Sequence, residues 1–199
     1  MFGIITEIIS TAVSFVSKAV SILGPALVEV ANLLVGNLKP LGISENEEDA
    51  IKLGDKAIQA EESGIRAEDF DSYEKYLLTV DQFETNPEKS LKIEDEEKIQ
   101  KGMEISTAVL VERYGESVID LLTLVANHPD FFKDRLSIYS EMQKKDPETF
   151  SDIARYIDGK ETDLKKADET LEKIFDAEKR VDPDKTLTDL LKSIENLKD

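Results

Sequence analysis

Cysteine and tryptophan are missing from the 199-residue chain, and histidine occurs once, at His128. Without Cys there is no disulfide framework and no thiolate metal site. One imidazole also falls short of the common zinc ligand sets. Basic side chains are scarce, 25 Lys and Arg against 43 Asp and Glu, for a net charge of −18. That balance excludes nucleic acid as a partner, because phosphate binding needs clustered Lys and Arg. It equally disfavours adhesion of the whole surface to an anionic membrane. No glycine-rich phosphate loop and no Gly-x-Ser-x-Gly elbow occurs. The 40% hydrophobic content is that of a globular protein.

The charge is unevenly placed. Residues 1–39 hold Glu7, Lys18, Glu29 and Lys39, which cancel, so residues 40–199 carry the whole −18. The sequence therefore divides into an apolar amphipathic segment, 1–39, and an acidic helical domain, 40–199. Pro40 and Gly42 punctuate the boundary.

Within the first segment the apolar residues come in pairs: Ile4-Ile5, Ile8-Ile9, Ala12-Val13, Phe15-Val16, Ala19-Val20 and Ile22-Leu23. The pairs step by 4, 4, 3, 4 and 3 residues, a mean of 3.6, which is the period of an α-helix with a wide apolar stripe. Ile5, Ile9, Val13, Phe15, Val16, Val20 and Leu23 are the candidates for membrane insertion or helix docking. Behind them runs a polar stripe of Glu7, Ser10, Ser14, Ser17, Lys18 and Ser21. Gly24 and Pro25 form the expected hinge before a second apolar stretch, which gives a broken helical hairpin. As one helix, residues 2–23 would reach roughly 33 Å, close to the thickness of a bilayer core. Glu7 and Lys18 interrupt the run, so an ordinary single-span anchor is not expected. The small hydroxyl face suits either a polar lining in an oligomer or close approach of another helix. No Lys or Arg precedes Lys18, so a conventional signal peptide is not expected. The chain is then either cytoplasmic or exported by another route.

The acidic body reads as helix throughout. Ser44 and Glu47 form a capping box for a helix that Gly64 closes. Further helices are expected at about 68–83, 94–114 and 117–126, the last the most hydrophobic and the expected centre of the body. Residues 131–144 and 148–157 follow, each led by a proline. Residues 162–199 carry two amphipathic stretches about Asp182-Pro183, which can close as a C-terminal helical hairpin. The fold class is all-α, a multi-helix bundle with the apolar segment at its start.

Chemistry is poorly represented. His128 lies in a turn before Pro129, with no evident nucleophile or orienting partner beyond Asp130. The acidic runs at 45–49, 68–71 and 94–97 lie near helix starts, where carboxylates are favoured in any case. Asp182-Pro183-Asp184 opens like a calcium loop, but Leu187 and Ser193 stand where Gly and Glu are needed. No catalytic, cofactor or metal site is assigned. Two functions fit this pattern. One is a non-enzymatic, membrane-active or delivered effector, pore-forming in one version, whose N-terminal helix inserts into or docks on a bilayer. The other is an adaptor, scaffold or assembly component whose N-terminal helix packs on partner helices. Either permits a homo-oligomer. Low pH, by neutralising carboxylates, is expected to ease approach to a membrane.

Overall fold

The computed structural model describes residues 2–23, 27–36, 38 and 50–197. The hinge at Gly24-Pro25, the boundary at Lys39-Pro40 and the Ser44/Glu47 capping box lie outside the described residues. The fold is all-α, with no strand among the described residues. The chain forms two compact units, 1–116 and 117–199. This division follows packing, whereas the step at Lys39 follows charge, and the two fall at different places in the chain.

The first unit is built on α6 (Asp95–Tyr114), against which pack α1 (Phe2–Leu23), α2 (Leu27–Gly36), α3 (Ala50–Glu62) and α4 (Tyr73–Asp81). A short helix, α5 (Pro87–Ser90), precedes α6. From Ile105 to Val111 every residue of α6 is buried, although the run includes Ser106 and Thr107. Ser106 satisfies its hydroxyl within the helix by donating to the Gly102 carbonyl at 2.8 Å. The α3–α6 crossing is close because a Cβ at Gly54 would overlap the Lys98 carbonyl and one at Gly102 the Ala50 carbonyl. Only glycine fits at either position.

Long-range caps hold the ends of these helices. The Asn32 side chain on α2 accepts from the first amide of α3, Ala50, at 2.8 Å. Glu112 on α6 accepts from the amides of Tyr73 and Glu74 at 2.7 and 2.9 Å. Together with the Ser72 hydroxyl, which accepts from the Lys75 amide at 3.2 Å, it fixes the start of α4. The sequence pattern places that start near 68; instead Ala67–Asp69 forms a single 3-10 turn. Buried Gln59 accepts from the Asn86 amide at 2.8 Å and donates to Ser90 Oγ at 3.0 Å, anchoring α5 between the helices expected at 68–83 and 94–114. Gly64, at φ 90°, ends the α3 region in the left-handed conformation.

The second unit contains α7 (Val118–Asn127), α8 (Pro129–Phe132), α9 (Leu136–Gln143), α10 (Thr149–Ile157), α11 (Leu164–Val181) and α12 (Leu187–Glu195). Here α7, α9 and α11 all pack on α10. The pattern suggests one helix over 131–144, but the chain turns between Phe132 and Leu136. Arg135 explains the break: its guanidinium donates to the Phe131 carbonyl and grips Glu178 with two bonds of 2.6 and 2.8 Å. Thr186 and Asp189 form a reciprocal capping box that starts α12. In the C-terminal stretch α11 and α12 are in contact with each other, and α11 also packs on α10. The centre of this unit is therefore α10 and not α7, the helix expected there: α7 packs on α10, whose Phe150, Ile153, Ala154 and Ile157 are buried, because a short helix with a strong apolar stripe can seat three neighbours; α6 is the corresponding hub of the first unit.

Candidate functional site

The candidate site is α1 and the surface it shares with α6. At about 100° per residue, the apolar positions of α1 sweep roughly half the helix circumference. The middle of that arc is docked: Ile5, Ile8, Ala12, Phe15, Val16, Ala19 and Leu23 are buried. Its two flanks are not. On one flank Ile4 is 64% and Ile22 57% exposed; on the other, Ile9 and Val20 are half-buried and Val13 is 39% exposed. The helix thus carries a wider apolar arc than its seat on α6 covers.

Of the candidate insertion residues, Ile5, Phe15, Val16 and Leu23 face the core, whereas Ile9, Val13 and Val20 line its edge. The polar stripe of Glu7, Ser10, Ser14, Ser17, Lys18 and Ser21 is wholly exposed. Ser21 donates to the Lys18 carbonyl at 2.7 Å, a bond within the helix. Periodicity alone identifies this face; it cannot identify α6 as the seat, since α6 is acidic in its first turn, buried on every side from Ile105 to Val111, and shows little stripe.

By length and composition, Ile4–Leu23 can cross a membrane, and 33% of that stretch is buried. Among the described helices of 18 or more residues it alone is sufficiently apolar to do so.

A charged wall lies beside α1. Lys101 on α6 sits 2.7 Å from Glu61 and 3.5 Å from Glu104. Burial pushes the Glu104 carboxyl above its usual range, and the Lys101 ammonium offsets this only in part. Tyr76 donates to Glu61 at 3.0 Å. Burial, followed by the charge of Glu61, raises the Tyr76 phenol. None of these positions is distinguishable by spacing from the many other acidic helix faces.

His128, the sole imidazole, ends α7 with its amide donating to the Leu124 carbonyl at 2.8 Å. Among the described residues no three His, Asp or Glu side chains gather to hold a metal ion. No family model, curated protein or solved structure matches the chain.

Proposed function

We propose that this is a non-enzymatic, membrane-active protein of the effector type, in which α1 is held on α6 in the soluble form and inserts into or docks on a bilayer. The observation that carries the reading is the mismatch on α1: a helix long and apolar enough to span a membrane, with only 33% of the spanning stretch buried. Apolar flanks beyond the core contact give α1 more to gain in lipid than a helix whose whole stripe is already covered. The −18 charge keeps the soluble form dispersed, and it directs the protein to zwitterionic rather than anionic surfaces.

Val13 supplies the test, because it lies near the middle of Ile4–Leu23 and is 39% exposed in the folded chain. An Asp there remains in contact with water in the soluble form, but at mid-bilayer it costs about 2.5–3.5 kcal/mol. At about 1.4 kcal/mol per tenfold, Val13→Asp should weaken insertion roughly a hundredfold. The assay is dye release from phosphatidylcholine vesicles, with circular dichroism showing both proteins equally helical. Release by the native chain and its loss in Val13→Asp is the expected result. Equal release by both, or none by either, refutes insertion; the absence of release turns attention to α1 as a docking helix for a protein partner.

A further inference from the structure

A cavity of about 400 Å³ opens in the first unit, within the size range of small-molecule sites. Its walls divide by chemistry. Ile9, Ala12 and Val13 of α1 form an apolar side. Opposite stand Glu61, Glu68 and Glu104 with Lys101 and Arg66, three carboxylates against two cations. Lys101 is shared between Glu61 and Glu104, which leaves one negative charge of the wall uncompensated.

Tyr73 adds an independent feature. It lines the cavity, is 4% exposed, and bonds through its backbone amide to Glu112, while its hydroxyl has no hydrogen-bond partner among the described residues. Among the described residues the buried side-chain atoms left without a partner are those of Thr107, Tyr139, Thr149 and Glu161, so the Tyr73 hydroxyl is instead reached by solvent through the cavity, where a ligand can take the place of water as its partner. Burial first, then the charges of Glu61, Glu104 and Glu68, push the Tyr73 phenol upward, so its oxygen lies in the negative field of those carboxylates.

We propose that this cavity binds a small organic monocation with an alkyl body, an alkylammonium. The ammonium donates to the Tyr73 hydroxyl oxygen and the Glu104 carboxylate, and the alkyl chain lies against Ile9, Ala12 and Val13. The ring of Tyr73 adds a cation–π surface. Arg66 is exposed at the wall and makes no ion pair among the described residues, so an anion is the competing occupant that the experiment must separate.

The test is calorimetric titration of the full chain, without vesicles, with hexylammonium chloride, sodium hexanoate and hexanol. Hexylammonium should bind saturably at one site and at least tenfold more tightly than the other two. Glu104→Gln should weaken it at least tenfold, and Tyr73→Phe, which keeps the ring and the fold, at least threefold. Thermal melts establish that both variants are folded. Unsaturable or multi-site binding would mark general attraction to an acidic surface and overturn the proposal. So would equal binding of hexanoate, or affinity unchanged in both variants.

Discussion

Phe15 is the largest side chain that α1 buries among the described residues, and its removal measures how separable that helix is. Truncating a buried Phe to Ala forfeits the transfer free energy and leaves a cavity, about 3–5 kcal/mol together. If α1 leaves α6 as a unit, that loss falls on the docking equilibrium rather than on the whole fold. It then raises the undocked population by roughly 10²- to 4 × 10³-fold at about 1.4 kcal/mol per decade. The chain has no Cys, so a single engineered thiol reports without background. Ala19→Cys places it on the docked face of α1 and Ala60→Cys places it in α3, both at buried positions. The assay is the rate of labelling by a water-soluble maleimide, with and without Phe15→Ala. Labelling at position 19 should accelerate by the factor above while position 60 changes by less than threefold. Equal acceleration at both positions would mean that α1 leaves only when the unit unfolds, and the release argument fails. An unchanged rate at position 19 would refute the burial argument itself.

Two further outcomes follow from the second unit. Glu178 is 1% exposed and held by both Arg135 bonds, so Glu178→Ala strands a half-buried guanidinium; it should cost about 3–5 kcal/mol, read as a lowered melting transition with α9–α11 losing amide protection first. Acid should also act unevenly. Burial alone would raise Glu178, but the Arg135 bonds and charge outweigh it and hold it below its usual range; the hydrogen bond from Lys173 lowers Asp146 likewise. Stability from both is present above the usual carboxylate range and disappears as pH falls through the lowered values. Glu104 in the first unit has the opposite sign: burial raises it, so its contribution is full at low pH and lost as pH rises through the raised value. Amide exchange between pH 6 and 3 should therefore show α10 and α11 weakening before α3 and α6, and the reverse order would contradict the assignment.

The helical class and most helix positions are legible in the sequence, because caps and apolar periods are local. The 3.6-residue pairing in residues 4–23 marks α1, and Gly64, Pro129 at the start of α8 and Pro147 just before α10 mark breaks that the structure places nearby. What escapes local reading depends on distant partners. Arg135 splits a predicted helix through a bond to a residue 43 positions away. Gln59 organises α5 from 27 positions away through the Asn86 amide. The closeness of α3 and α6 depends on Gly54 and Gly102, two glycines that look merely tolerated within helical patterns. On α1, periodicity separates the apolar arc from the Ser stripe but cannot divide that arc into seat and flanks. That division, with Phe15 and Val16 inside and Ile4, Val13 and Ile22 outside, depends on the shape of α6. Tyr73 carries no signal in the sequence, since its unpartnered hydroxyl is visible only once the cavity beside α1 is formed.

The most direct test of the membrane account places an environment-sensitive fluorophore on Ile22→Cys, a position 57% exposed in the soluble fold. Labelled there, α1 can remain docked, and the probe senses water until the helix enters lipid. Titration with phosphatidylcholine vesicles carrying a quencher on the acyl chains should shift the emission to the blue and quench it. Emission that stays water-like and unquenched at saturating lipid would contradict insertion of α1.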